Sequence, residues 1–197
     1  MMGIQALNQR DVKMQISEPA EYVILGLLTT RSMHGYEMFQ LIEGGTLGQI
    51  IHLEMSQMYA FLKKLERLHY IEAEVESQGT RPPRKIFQLT AEGHEVFRQW
   101  IRQPVEKPRD IRILFLIKLY FVQRVQPAQL GTLVEQQIKA CQSFLQHLKT
   151  RQQTTTLQPD DAAFLDQVVL SSRIYQTQAL LEWLSELQKG IQHRVLT

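Results

Sequence analysis

From Ser17 onward the spacing of apolar residues changes character several times, and each change marks an element. Ala20, Val23, Ile24, Leu27 and Leu28 fall at i, i+3, i+4, i+7 and i+8, the stripe of an amphipathic helix with Ser17 as N-cap and Pro19 in its first turn. A second helix is predicted from His34 to Glu43, stopped by Gly44-Gly45. A third runs from about Glu54 to His69. It turns Met55, Met58, Leu62, Leu65 and Leu68 inward and Ser56, Gln57, Tyr59, Ala60, Lys63, Lys64 and Arg67 outward. The period then drops to two: in Ile71–Glu76 apolar residues alternate with three glutamates, as in a half-buried strand. Gln78–Pro83 reads as a turn, Arg84–Leu89 as the partner strand, and Thr90 as the cap of a helix from Ala91 to about Arg102. Three helices, a strand, a basic hairpin tip, a strand and a helix make a winged helix-turn-helix.

Two prolines bracket Pro104-Val105-Glu106-Lys107-Pro108, and a domain boundary is placed there. This gives an N-terminal arm over 1–16, a winged domain over 17–104 and a helical domain over 105–197. Asp110–Val125 is apolar nearly all round, so both its sides should be covered. Pro127 opens a helix in which Leu130, Val134, Ile138, Cys141, Leu145 and Leu148 are spaced three and four apart. Asp160 or Asp161 caps a last helix, with Tyr175, Ala179, Trp183, Leu187 and Ile191 four apart. Such seams need a partner. Either the chain folds back as a hairpin or a second copy supplies the other face, and dimerisation through these residues, Trp183 and Leu187 included, is expected. The fold class is therefore mainly α with a small β wing, the winged domain being followed by an all-α dimerisation domain.

Composition narrows the function. The 197 residues carry 22 Lys+Arg against 20 Asp+Glu, a net charge of +2, too little for a general polyanion binder. Any nucleic-acid contact must come from a local patch. The balance is uneven, 11 basic against 12 acidic residues over 1–104 and 11 against 8 over 105–197. A single cysteine excludes an internal disulfide framework and a multi-cysteine metal site, and points to a reducing compartment. The start lacks the basic and apolar blocks of a signal peptide, and no apolar run approaches the roughly 20 residues of a membrane span. A soluble cytoplasmic protein without a membrane partner is expected. The histidines do not cluster as metal ligands, and no phosphate loop, dinucleotide fingerprint, nucleophile elbow or paired-carboxylate motif occurs. No metal, no cofactor and no enzymatic activity are expected.

Four stretches together resemble the PadR family of bacterial transcription regulators. They are Ile24-Leu25-Gly26-Leu27-Leu28, His34-Gly35-Tyr36-Glu37, Met58-Tyr59-Ala60-Phe61-Leu62-Lys63-Lys64-Leu65-Glu66, and Arg84-Lys85-Ile86-Phe87-Gln88-Leu89-Thr90-Ala91-Glu92-Gly93. Phe115–Phe121 and Leu181-Glu182-Trp183-Leu184 are similar to the family's longer, virulence-activator-type helical tail, so the resemblance spans about 20 to 192. It departs from the family at Glu54-Met55-Ser56, where Ser-Pro-Gly is common, at Ala60 in place of Pro, and at His69 in place of a helix-ending Gly. The reading surface therefore differs, and no family DNA sequence carries over.

The resemblance implies a sequence-specific regulator, most simply a homodimeric repressor on a pseudo-palindromic operator in double-stranded DNA. An activator would use the same contacts. In a helix-turn-helix the last helix enters the major groove, which places Ser56, Gln57, Tyr59 and Ala60 at base edges. Gln57 can pair with adenine and Ala60 can touch a thymine methyl. Lys63 and Lys64 suit phosphates, and Tyr36 resembles the family tyrosine that holds the backbone. Arg81, Arg84 and Lys85 gather three cations at the wing. Against this, Glu54, Glu72, Glu74 and Glu76 repel phosphate unless they face away, which keeps open a protein-interaction module that has lost DNA binding. A small-molecule effector would fit a pocket of Phe115, Tyr175 and Trp183, with Trp100 as core or wall. Cys141, on an apolar seam, reads as inert.

Overall fold

The computed structural model describes residues 16–78, 81–154 and 161–195. The proposed arm over 1–16 thus lies outside the described residues except for Ile16, which is buried. The chain forms two compact units. One takes the residues up to Arg102 together with Leu116–Phe121; the other takes Gln103–Phe115 and the chain from Val122. In place of a single break near Pro104, the polypeptide passes from one unit to the other three times.

The first unit follows the predicted order. Helix α1 is Pro19–Leu28, strand β1 is Met33–His34 and α2 is Gly35–Glu43. After a one-turn helix at Thr46–Gln49 come α3, Met55–Arg67, β2, Ile71–Gln78, β3, Arg81–Leu89, and α4, Ala91–Arg102. The sheet has the order β1-β3-β2, antiparallel throughout. Sequence patterning missed β1, which is too short to show a period, and the first three residues of β3, where Arg81-Pro82-Pro83 reads as a turn. Nor is Ser17 the cap of α1. Glu18 is, and it closes a capping box with Glu21.

The core of this unit is Val23, Ile24, Met38, Ile42, Met58, Leu62, Leu65 and Ile71, all nearly or fully inaccessible. Leu116–Phe121 completes it. A Cβ on Gly26 would lie 2.4 Å from the Phe121 ring, so only glycine lets α1 accept that side chain. Phe121 also meets Phe97 edge-on at 5.4 Å. Lys118, which interrupts the apolar run in the sequence, is 3% exposed. Its ammonium donates to the Trp100 carbonyl and sits 4.3 Å over the Trp100 ring, which also stacks on Tyr22 at 4.0 Å and meets Phe97 at 6.0 Å. Trp100, half-buried, is therefore packed within the winged unit.

In the second unit a short helix at Pro108–Asp110 and a wide turn at Ile111–Phe115 lead into α5, Leu116–Val125, of which Leu116–Phe121 belongs to the first unit. A turn at Pro127–Gln129 precedes α6, Leu130–Thr154, and α7 is Asp161–Val195. Helices α6 and α7 pack along each other, with Leu148 against Leu170 and Ile174, flanked by Phe144 and Leu145. Val134, Cys141 and Leu148 of the α6 seam are buried inside this unit, so the seam is largely occupied by the same chain. Burial pushes the Cys141 thiol up, while a contact from the Gln137 amide pulls it the other way. Gln137 itself is fully buried. Its amide accepts the Val105 N–H at 2.6 Å and donates to the Val105 carbonyl at 2.9 Å, pairing with the connecting segment as a strand would.

One residue departs from regular backbone. His69, where the family has glycine, takes φ 59°. It ends α3 in a Schellman arrangement, Tyr70 N–H donating to the Leu65 carbonyl and His69 N–H to that of Glu66, both at 3.0 Å. The Thr90 hydroxyl donates to the His69 carbonyl at 2.7 Å and accepts the Gly93 N–H at 3.0 Å, joining this end of α3 to the start of α4. A side chain in the left-handed region costs on the order of 1 kcal/mol. His69→Gly is therefore expected to stabilise the protein by about 0.5 to 1 kcal/mol in urea unfolding, with α3 and the wing unchanged. A lower midpoint would show that the imidazole contributes more than the strain removes.

Candidate nucleic-acid interface

Helix α3 carries the candidate reading surface. Met58, Leu62 and Leu65 are buried on its inner side, and Ser56, Gln57, Tyr59, Ala60, Lys63 and Arg67 are exposed on the other. Ser56, Tyr59, Ala60, Lys63 and Arg67 fall at i, i+3, i+4, i+7 and i+11, one continuous stripe. Tyr59 is half exposed, and its ring lies over Gly35: a Cβ there would be 3.1 Å from the Tyr59 ring and 2.9 Å from Leu62. This is the physical content of His34-Gly35-Tyr36. The glycine lets α2 approach α3 closely, and the next residue, Tyr36, projects from the start of α2 with 57% exposure, its hydroxyl accepting from Gln40 at 3.1 Å. Arg67 was visible in the sequence as an outward residue; its spacing of four from Lys63 marks it as part of the surface.

Three expected contacts are held differently from what the sequence suggests. Gln57 is the third residue of α3, and its Oε1 accepts the Glu54 N–H at 3.0 Å while the Glu54 carboxylate caps the helix in return. In this state only the Gln57 amide nitrogen is available, so a two-point pair with adenine requires the box to open. Lys85 donates to both oxygens of Glu66, at 3.1 and 3.2 Å. Lys64 is tied inward to α1. Its ammonium is 2.6 Å from Oε1 of Glu21, a carboxylate with no exposed side-chain surface, and it also donates to the Ser17 hydroxyl at 3.1 Å.

Register explains the wing. Glu76 stands opposite Arg84 and Val75 opposite Lys85, so strand alternation sends Arg84 and Lys85 to opposite faces. Lys85 shares the face of Ala73 and Phe87 and meets α3; Arg84 shares the face of Glu72, Glu74 and Glu76 and is exposed. The cations are thus not one cluster. The Arg81 side chain lies outside the described residues. The glutamates alternate away from the core, as expected, and two have partners: Glu72 accepts from Gln88 at 3.0 Å, and Glu76 lies 3.5 Å from Nε2 of His34. The other ring nitrogen of His34 bonds the Lys85 carbonyl at 3.0 Å. Beside α2, Arg31 is bound to Glu37, which holds that carboxyl below its usual range.

The residues expected to line an effector pocket differ in their surroundings. Phe115 is buried and meets Trp183 edge-on at 6.1 Å, while Tyr175 is 73% exposed. A cavity of about 340 Å³ lies elsewhere in the second unit, between the connecting segment, α6 and α7. No group of three His, Cys, Asp or Glu side chains among the described residues is placed to hold a metal ion, and no helix among them is long and apolar enough to cross a membrane.

The Glu21–Lys64 pair makes a sharp prediction. Besides Lys64, the carboxylate accepts the Ser17 N–H at 2.9 Å and the Glu18 N–H at 3.4 Å through Oε2; no hydrogen bond of good angle reaches Oε1. Lys64→Met leaves a buried charge without its counter-ion and should cost about 2 kcal/mol or more. Glu21→Gln with Lys64→Met should recover at least half of that loss. Additive losses in chemical denaturation would show that the two side chains are energetically independent.

Residues 24–99 match the transcriptional regulator PadR-like family, and residues 111–192 match the virulence activator alpha C-terminal family. The negative transcriptional regulator PadR of Bacillus subtilis is 29% identical over 129 residues, which span 66% of this chain and 70% of the relative. Among solved structures, Bacillus subtilis PadR in complex with operator DNA is 24% identical with a TM-score of 0.45, covering 88% of this chain and 99% of that one. The same protein in complex with p-coumaric acid is 22% identical with a TM-score of 0.40, covering 89% and 99%. The PadR-like regulator BC1756 of Bacillus cereus is 22% identical with a TM-score of 0.38, covering 96% and 99%. With two consecutive family matches spanning nearly the whole described chain, this protein belongs to the PadR-like family of transcriptional regulators.

Proposed function

We propose that the chain acts as a homodimeric, sequence-specific DNA-binding repressor. The observation that carries this is the polar stripe of α3 from Ser56 to Arg67, exposed along the third helix of a winged helix-turn-helix with Tyr36 beside it. In this reading Ser56, Gln57, Tyr59 and Ala60 meet base edges, and Lys63, Arg67, Tyr36 and Arg84 meet phosphates, with Arg81 and Lys85 completing the wing. Lys64 orients α3 from behind rather than touching DNA. Repression, in place of activation, is the reading favoured by the Bacillus subtilis relative, a negative regulator. It is steric: a bound dimer blocks polymerase.

Dimerisation is assigned mainly to α7. Phe164, Leu165, Val168, Val169 and Tyr175 are exposed on it, with Trp183 39% exposed further along. The α6 residues expected in this role divide: Val134, Cys141 and Leu148 are spent inside the unit, and Leu130, Ile138 and Leu145 are half-buried, as is Leu187 of α7. A long helix with apolar residues left on its outer side is a self-complementary surface for a two-fold partner. Two winged units would then meet half-sites one or two turns apart, roughly 34 Å per turn. A small-molecule effector and a cytoplasmic location belong to the same reading.

Fluorescence anisotropy against DNA from upstream of its own gene, beside a scrambled duplex, tests DNA binding. Preference should be roughly a thousandfold and should weaken with salt. Lys63→Ala and Arg84→Ala should weaken both duplexes and each lower the salt slope by about one, whereas Gln57→Ala should relax sequence preference. Equal, weak binding to both duplexes would leave a protein-interaction module as the reading. Sedimentation equilibrium tests the dimer: Val168→Glu with Tyr175→Glu should give a folded monomer, and a persisting dimer would place the interface elsewhere.

A further inference from the structure

We infer that Gln57 reads a guanine, because the capping box of α3 leaves its side chain with hydrogen-bond donors alone; this assignment rests on the DNA-binding reading. The deciding contact runs from the Glu54 N–H to Oε1 of Gln57, at 3.0 Å. A backbone N–H can only donate, so the atom it faces has to be the amide oxygen. The two ends of this amide are therefore told apart by chemistry. With the oxygen turned back onto the chain, the trigonal amide carbon sends the nitrogen away from it. That nitrogen has no hydrogen-bond partner among the described residues, and Gln57 is exposed.

The box is held from both sides. The Glu54 carboxylate accepts the Gln57 backbone N–H while the Gln57 oxygen accepts the Glu54 N–H, so turning that oxygen outward gives up one of two reciprocal bonds. Gln57 is also the third residue of α3, in the turn that a recognition helix presents to base edges. Ala60, one turn on and exposed beside it, carries too little side chain to cover it.

An amino group without its carbonyl sorts the four bases by what each offers in the major groove. Guanine presents two adjacent acceptors, N7 and O6, one for each N–H. Thymine presents O4 beside a methyl group. Adenine presents N7, but the N6 amino group next to it is a donor, and facing donors repel. Cytosine presents a donor only. The usual glutamine–adenine pair needs oxygen and nitrogen on the base edge together, and the cap withholds the oxygen. Guanine is more often read by arginine or lysine, but neither occurs in α3 before Lys63. Among the side chains of its first turn, Gln57 alone offers two donors.

The test uses the full chain. In vitro selection from a randomised duplex library gives the preferred half-site, and the same selection with Gln57→Ala identifies the position that Gln57 sets. Guanine is expected there, favoured over adenine by about tenfold. Inosine in its place keeps N7 and O6 and should bind within about twofold in fluorescence anisotropy, whereas 7-deazaguanine, which lacks N7, should bind at least about threefold more weakly. Gln57→Glu keeps the box but turns an acceptor outward, so the preference at that position should change to cytosine. Glu54→Pro deletes the N–H that holds the oxygen, at a φ of −88° close to proline's own, and should bring adenine to within about threefold of guanine. Glu54→Ala keeps that N–H and removes only the carboxylate, so guanine should stay preferred by about tenfold. Circular dichroism checks that both variants fold; should the proline variant not fold, Gln57→Glu carries the test. Any base other than guanine at that position, no position altered by Gln57→Ala, guanine retained by Gln57→Glu, or equal losses in the two Glu54 variants overturns the assignment and leaves the DNA-binding reading standing. A selection that enriches no motif overturns that reading, and the assignment with it.

Discussion

A carboxylate with no exposed surface has to be neutralised from within, and in the winged unit that requirement falls on Glu21. Its counter-ion is Lys64 of α3, the helix that carries the candidate reading surface. By taking Lys64, the pair links α1 to α3 and sets the rotation of α3 about its own axis. Lys63 is then turned outward, since successive helical residues are about 100° apart. Lys64 faces α1, and Lys63, the residue before it, faces outward. The same α1 helix receives Phe121 at Gly26, so the element that orients α3 also accepts the chain as it returns from the second unit.

Much of this architecture was legible because it depends on period. The change from 3.6 to 2 at Ile71 located the wing, Gly44 located the end of α2, and the apolar stripes gave the inner faces of α1 and α3. What pattern cannot give is the identity of a partner distant in sequence. Glu21 sits within a stretch read as the apolar stripe of α1, and Lys64 was read with Lys63 as a phosphate contact. Only packing brings them to 2.6 Å. The wing shows a finer failure. Arg84 and Lys85 were read inside the partner strand and yet grouped with Arg81 as one set of three cations. Strand alternation, applied to the two, puts them on opposite faces.

His69 and Gln57 show how departures from a family pattern are absorbed locally. With no glycine to end α3, the histidine still takes the left-handed conformation, because the Thr90 hydroxyl and two Schellman bonds fix the backbone there. With Glu54 in place of serine before α3, the helix is still capped, by a carboxylate that suits its N-terminal dipole. The cost falls on Gln57, whose oxygen now serves the cap. A side chain proposed to read bases is thereby coupled to the stability of the helix that presents it.

The second unit poses the complementary problem of too much apolar surface. One seam of α6 is buried against α7, which answers the need that the heptad-like spacing announced, and answers it by folding back. But α7 is 35 residues long and carries apolar side chains on more than the one side that α6 can cover. Leu170, Ile174 and Leu184 point to the hairpin, while Phe164, Val168 and Tyr175 do not. Helical geometry puts these two groups on well-separated sides, so no rotation of α7 could bury both against α6. An exposed apolar strip of this length marks an interaction surface in a water-facing protein. The hairpin-or-partner choice posed by the sequence is therefore not a choice between exclusive outcomes: α6 satisfies one face, and the remaining face is what the dimer reading uses.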